Sequence, residues 1–418
     1  MKVVRINKRS KSKERVLRCE ELRRVWSEEA SRIAMIQMLI PLGLKAVEEE
    51  LQGEVTRLVG KRYSRGGSVK RWGYNPGGVF LGDQKCSVSV PRVRDLREDE
   101  EVSLKSYQAF QNPQRMDEMV MARVLNGLST GKYEKAAQAV PETFGIKKSS
   151  VSRKFIRATA RKLEELLNRR LKEKDIIAIF IDGKSFAGAG MIIALGVTLE
   201  GEKMVLGFIE SSTENYKVCR DFIQQLMDRG LSTEDEILFI IDGSKGLSKG
   251  IREVLGEKAL IQRCQWHKRE NVVSYLSQEK QNQFRRKLQA AYEQPSYEET
   301  KKHLEAVKRE LKLINESAVK SLEEGLEETL TLHRLGMFQK LGKSFKTTNC
   351  IETLNHQLGI YTDRVDYWRN SDHRQRWIGT SLLEIEPKLN KVKGHHHLKE
   401  LRRVMKQFKN QNNHSIAA

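Results

Sequence analysis

No apolar run in this chain approaches the roughly 20 residues that a membrane-crossing helix requires. The densest stretch, Ile176 to Ile181, is only six residues long. This excludes helical membrane spans. Cysteine is equally sparse. Cys19, Cys86, Cys219, Cys264 and Cys350 are odd in number and widely scattered, which excludes a disulfide-stapled secreted scaffold and points to a reducing cytosol. Met1 to Arg15 is basic but has no apolar segment after it, so no secretory signal is expected. Acidic residues are also in deficit. Asp and Glu number 55 against 76 Lys and Arg, giving a formal net charge of +21. A surplus of that size calls for a polyanionic partner, because each cation that meets a phosphate releases condensed counterions. With 418 residues, 39% of them hydrophobic, the chain has material for about three packed domains.

Along the chain, Lys2 to Arg15 reads as a basic arm, free or wrapped on nucleic acid. Glu20 to Leu58 has helical periodicity, and a Gly-rich basic stretch, Lys61 to Gly78, follows it. Val79 to Val93 alternates around the turn signal Gly82-Asp83 and predicts a hairpin. From Gln114 to Arg170 we read only helices: Met119 to Leu128, Lys132 to Val140, and a third capped by Ser149. The last two, joined near Gly145, have the layout of a helix-turn-helix. Lys147, Lys148, Ser150, Arg153, Lys154 and Arg157 are its candidate DNA contacts, since a recognition helix offers its N-terminal residues to the major groove. The plainer reading is an amphipathic helix with a solvated basic face. From Asp175 the pattern turns to strands at 175–182, 191–197 and 203–209. A helix at 215–229, a strand at 236–242, a helix at 247–255 and a strand at 259–264 complete an α/β order. Residues 278–340 and those after Thr347 read as helical.

Strands Ile176–Ile181 and Ile237–Ile241 both end in Asp-Gly, at Asp182-Gly183 and Asp242-Gly243. An aspartate just past the carboxyl end of a buried strand sits at the rim of the sheet, where open α/β sheets place their sites. Two such carboxylates on neighbouring strands would repel unless a cation lay between them, and hard oxygen donors select Mg²⁺ or Mn²⁺. Equally, Asp before Gly is a common turn pair. Glu352 is the candidate third acid; spacing alone makes it a capping-box glutamate three residues after an Asn349 cap. Cys264-x-x-His267 is half of a zinc site at most, since a structural zinc takes four ligands. Arg364, Arg369, Arg374 and Arg376, with Trp368 and Trp377, either line a DNA channel or face solvent. His395 to His397 reads as surface.

Phe180-Ile181-Asp182-Gly183, Asp242-Gly243-Ser244-Lys245-Gly246-Leu247, Cys264-Gln265-Trp266-His267 and Thr347-Thr348-Asn349-Cys350-Ile351-Glu352-Thr353-Leu354-Asn355 follow one another in that order. With these motifs the chain resembles Mutator-type transposases of bacterial insertion sequences, from the hairpin at 90–94 to about residue 386. The resemblance implies an α/β RNase H-like mixed-sheet catalytic core with an all-α insertion, preceded by a mainly helical DNA-binding region that carries the β-hairpin and the helix-turn-helix. The expected divisions are 1–98, 99–172, 173–277, 278–340 and 341–418. The resemblance makes Asp182, Asp242 and Glu352 the metal-binding catalytic triad of the DDE superfamily, holding two Mg²⁺ or Mn²⁺ ions per site. It places Cys264, Trp266 and His267 beside that site, and Lys184 falls in the same neighbourhood. Trp266 is expected to pack on the insertion helices rather than stack on an unpaired base. The implied partners are double-stranded DNA, both terminal inverted repeats and target, and further copies of the chain in a homodimer or larger assembly. The implied location is a bacterial cytoplasm, on the nucleoid, with no membrane contact. Two alternatives are a non-catalytic transposase-derived regulator and an RNase H-like nuclease that does not join strands.

Overall fold

The computed structural model describes residues 29–63, 67–81, 84–111, 118, 120–122, 124–127, 143–144, 148–186, 188–211, 215–232, 236–256 and 259–417. The basic arm, the Lys132–Val140 helix and the Gly145 turn lie outside those residues, as does Lys147. The contacts divide the chain into two units, 1–158 and 159–418. No helix among the described residues is long and apolar enough to cross a membrane.

In the first unit, helix α1 (Glu29–Val59) packs on an antiparallel hairpin, β1 (Val69–Leu81) and β2 (Gln84–Asp95). The hairpin is longer than alternation predicted, because β1 reaches back to Val69 through the Gly-rich stretch. Cys86 and Val88 alternate onto one face and, with Val93 further along β2, share a buried cluster with Val47, Leu51 and Val55 of α1. Two short strands, β3 (Glu100–Glu101) and β4 (Thr143–Phe144), pair with β2 on either side of a short helix α2 (Lys105–Phe110). The β4 pairing corrects the expectation of helices alone between 114 and 170: a two-residue strand has no period to detect, and Cys86 and Lys85 supply its register from far away in sequence. Of the expected 119–128 helix, residues 120–122 and 124–125 are helical, and Asn126 and Gly127 form a turn. Helix α3 (Lys148–Leu167) starts where the third helix was expected. It buries Val151 and Phe155 and exposes Arg153 and Arg157, while the Lys154 ammonium lies 5.1 Å from the Phe80 ring. The side chains of Lys148 and Ser150 are not among those described.

The second unit is built on a five-stranded mixed sheet of β5 (Ile176–Phe186), β6 (Ala189–Thr198), β7 (Lys203–Glu210), β8 (Leu238–Ile241) and β9 (Leu260–Arg263), in the order β7-β6-β5-β8-β9. β5, β6 and β7 form an antiparallel meander; β8 and β9 run parallel to β5. Both faces are covered, which is why these strands read as nearly unbroken apolar runs. On one face Ile179, Ile181, Phe239 and Ile241 pack against α4 (Tyr216–Asp228) and α5 (Lys245–Leu255). Asn215 caps α4 by accepting from Val218 N. After β9 come α6 (Gln265–Val273) and a run of helices: α7 (Gln278–Tyr292), α8 (Tyr297–Lys312), α9 (Glu316–Glu323), α10 (Leu326–Thr329), α11 (Thr331–Arg334) and α12 (Phe338–Phe345). These form a core of their own around Phe284, Leu288, Leu304, Leu311 and Leu322. The chain then returns to the other face of the sheet with α13 (Asn349–Thr362) and α14 (Ser371–Ile385), before α15 (Leu398–Ala417). There Ala178, Phe180, Leu238 and Ile240 meet Ile351, Leu354, Leu358, Ile378 and Leu382.

His333, in α11, is 3% exposed and stacks on Phe338 at 3.8 Å. Burial pushes its pKa from 6.5 down to about 4, against a contact to the Tyr292 carbonyl. The folded state therefore binds a proton less readily than the unfolded chain. The stability His333 contributes is full above pH 6.5 and is lost as pH falls toward 4, by roughly 3 kcal/mol in all. We expect thermal midpoints measured between pH 4 and 7 to slope less steeply in His333→Gln than in the parent. Equal slopes would exclude this source.

Candidate active site

Asp182 and Asp242 stand at equivalent places on adjacent parallel strands. The β5–β8 ladder ends at the pair Ile181–Ile241, and each aspartate is the next residue. Asp182 does not lie beyond the end of its strand, where the apolar run 176–181 put it. β5 continues to Phe186 because β6 goes on pairing with it on the other side, with Asp182 opposite Ile193. Only on the β8 side is Asp182 at a rim. Alternation puts it on the face of Phe180, and Asp242 on the face of Ile240, the face covered by α13 and α14. Lys184, two residues on, shares the face of Asp182. It is exposed, with its ammonium 6.0 Å from the Phe186 ring.

Helix α13 brings the third acid to this face. Ile351, Leu354 and Leu358 pack on the sheet, so the stripe beside them points along it. From that stripe Asn355, 1% exposed, donates from Nδ2 to Asp182 Oδ2 at 2.8 Å. Glu352 lies one turn before Asn355. Its capping-box role does not hold: the cap is Thr348, Asn349 is the first helical residue, and the Thr348 hydroxyl donates to Glu352 Oε1 at 2.6 Å. Thr348 Oγ1 is also 3.4 Å from His267 Nδ1, and His267 Nε2 is 4.0 Å from Glu352 Oε1. Hydrogen bonding to Cys264, then the charges of Cys264, Glu352 and Asp242, raise the His267 pKa to about 9 against the opposing effect of burial. It is therefore an imidazolium at neutral pH. Burial pushes the Cys264 thiol up, but His267 and Thr348 outweigh it and hold that thiol below its ordinary range. The Cys-x-x-His pair thus belongs to the neighbourhood of Glu352. Trp266 is 47% exposed and lies edge-on to the His267 ring at 4.8 Å.

Each acid has a separate donor. Asp242 Oδ1 accepts from the amides of Gly243 (2.6 Å) and Ser244 (2.9 Å), Asp182 from Asn355, and Glu352 from Thr348. Among the described residues, no three His, Cys, Asp or Glu side chains are grouped to hold a metal ion. The donor chemistry does suit a hard divalent cation. It consists of carboxylate oxygens, with the buried Asn355 Oδ1 left without a partner beside Asp182. That amide cannot be turned around without aiming Oδ1 at a carboxylate. Glu352, with 40% of its side chain exposed, has room to change rotamer.

Arg374 and Arg376, the expected channel arginines, are engaged by the fold itself. Arg374 pairs with Glu210 at 2.6 Å, and Arg376, 6% exposed, bonds Asp372 and Thr159. Both sit on α14 where it closes over β7, so helical spacing could not distinguish them from surface residues. His395 and His396 are exposed as expected. Asn355 and Thr348 carry contacts that sequence reading did not assign, although both stand within the Thr347–Asn355 motif. The only signal was helical spacing from Glu352.

A family model described as "Transposase, Mutator family" matches residues 22–390. The chain belongs to this family. Its relatives include the transposase of insertion sequence IS256 in transposon Tn4001 of Staphylococcus aureus, 27% identical over 322 residues, or 71% of this chain and 76% of that one. The IS905 transposase of Lactococcus lactis is 23% identical over 351 residues, 80% of this chain and 85% of its own length. The IS406 transposase of Burkholderia multivorans is 25% identical over 333 residues, covering 75% and 81%. All three alignments are with transposases of insertion sequences, and the family match includes Asp182, Asp242 and Glu352.

Proposed function

We propose that this chain is an insertion-sequence transposase that binds the terminal inverted repeats of its element, cuts DNA there and joins the freed end to target DNA. The observation that carries this reading is the side-by-side placement of Asp182 and Asp242 on β5 and β8, under a helix whose Asn355 touches Asp182 and whose Glu352 lies one turn away. The meander-plus-two-parallel-strands order, with the first strand central, supports the reading of an RNase H-like core. The helices between β9 and α13 are then an insertion between the second and third acids. Asp182, Asp242 and Glu352 would hold two divalent cations, which would supply activation of a water or 3′-hydroxyl and neutralise charge on the leaving oxygen. Asn355 orients Asp182, and the turn amides of Gly243 and Ser244 fix one oxygen of Asp242. The basic surplus and the exposed Arg153 and Arg157 of α3 support DNA as partner, with homodimers or larger assemblies bringing two ends together.

Purified protein given Mg²⁺ and DNA with its own element ends is expected to nick at the end and then join the 3′ terminus to a second duplex. Glu352→Gln should abolish both products and leave the footprint on the end unchanged. Nicking with no joined product would make the protein a nuclease. A footprint without either product would make it a DNA-binding regulator.

A further inference from the structure

We propose that Arg263 is a positioning residue for Asp242, and that through it the seating of the helical insertion sets the geometry of that acid. The inference rests on the reading of Asp242 as catalytic.

Arg263 is the last residue of β9, opposite Ile241 in the parallel ladder, and is 5% exposed. Its Nη2 donates to the carbonyl of Gly243. The N–H of that same peptide, Ser244 N, and the amide before it, Gly243 N, both donate to Asp242 Oδ1. Gly243 has φ +151, and an added Cβ would lie 3.1 Å from Nη2, so the turn and the guanidinium are fitted to each other. Arg263 also reaches the insertion. Nη1 donates to the Glu324 carbonyl at 3.3 Å, and Nε stands 3.6 Å from the Glu328 carboxylate. Gly325, at φ +63, lies flush under the guanidinium, since a Cβ there would be 1.9 Å from Nη1. Glu328 is in turn tied to Arg252 and Ser248 of α5, the helix that begins at the Asp242 turn.

The same junction is bolted at three further points. Gln262 and Gln265 both donate to the Thr329 carbonyl, at 2.8 and 2.9 Å, and buried Lys268 donates to the carbonyls of Ser321 and Glu324 at the end of α9. Glu324 and Glu328 stand within 3.7 Å of Arg263 and are shared with Lys245, Lys268 and Arg252. What Arg263 adds at Asp242 is direction, through a planar guanidinium whose Nη2 holds the turn and whose Nη1 holds the insertion. A lysine keeps the charge and loses the fork.

The test compares Arg263→Lys, Glu328→Gln and Asp242→Asn in the full-length protein, each checked for folding by its thermal midpoint. Three quantities are read: amide deuterium exchange in peptides covering 240–246, Mn²⁺ binding by electron paramagnetic resonance, and nicking turnover with KM for end DNA. We expect Arg263→Lys to speed exchange at the turn and weaken Mn²⁺ binding about 10- to 100-fold. Turnover should fall by a similar factor with KM unchanged, since partners behind metal ligands have effects of that size. Glu328→Gln should show the same pattern more weakly, and it decides the matter if Arg263→Lys does not fold. Asp242→Asn should lose Mn²⁺ binding and nicking altogether. If it keeps both, the reading of Asp242 is wrong. If it loses both while the folded Arg263 and Glu328 variants match the parent in all three quantities, the positioning role is overturned and the site reading stands.

Discussion

Replacing Asp182 with Asn is expected to remove DNA nicking, with turnover down roughly 10³-fold or more, while the protein stays folded and bound to DNA. Loss of one member of a catalytic unit has effects of this order. The structure makes this substitution unusually clean. Asp182 is 9% exposed and its Oδ2 accepts a 2.8 Å bond from Asn355 Nδ2. An asparagine oxygen can accept the same bond, so Asn355 keeps its acceptor and the thermal midpoint should stay within a few degrees of the parent. The exchange weakens one charge-assisted hydrogen bond but also removes a buried charge that stands beside Asp242, and these effects oppose each other. Nicking and joining on element-end DNA are the measurements. Retention of more than a tenth of parental turnover in a folded Asp182→Asn would remove Asp182 from the chemistry.

Phe345→Ala is expected to cost about 3–5 kcal/mol, the largest stability loss among single changes near the site. Phe345 ends α12, is fully buried, and stacks on Phe180 with ring centroids 5.8 Å apart and planes 17° from parallel. Phe180 is two residues before Asp182 on the same face of β5, so this pair is the floor beneath the site. Truncation leaves a cavity that the sheet on one side and α13 on the other cannot both collapse into. For a unit of this size the loss corresponds to a fall of about 10 °C in thermal midpoint. Phe345→Leu keeps most of the volume and should cost less than about half as much. Chemical denaturation of the three proteins tests this. Equal midpoints for Phe345→Ala and the parent would show that the pair does not hold the second unit together.

Much of the second unit was legible because buried strands and amphipathic helices announce themselves locally. The runs at 176–181 and 237–241 are apolar at every position, as a sheet covered on both faces demands. The two Asp-Gly steps after them marked a rim before any pairing was known. The ends of elements were less legible. β5 runs past Asp182 to Phe186, through Lys184 and Ser185, since β6 supplies partners for a stretch that has no strand pattern of its own. The capping-box reading of Glu352 failed for a related reason. The choice between Thr348 and Asn349 as cap depends on what the Thr348 hydroxyl can reach, and it reaches Glu352 and approaches His267.

By itself, then, the sequence determined the α/β order and the basic character that calls for a polyanion. These are local or summed properties, set by periodicity, composition and residue type. The tertiary structure alone decided which groups face each other. It seated Asn355 on Asp182, drew Thr348 and His267 to Glu352, turned Arg374 and Arg376 inward, and put the Arg263 fork between Gly243 and the insertion. A hydrogen bond across 173 residues leaves no periodic trace in either segment, because it depends on the register of β5 against β8 and on the seating of α13 across them.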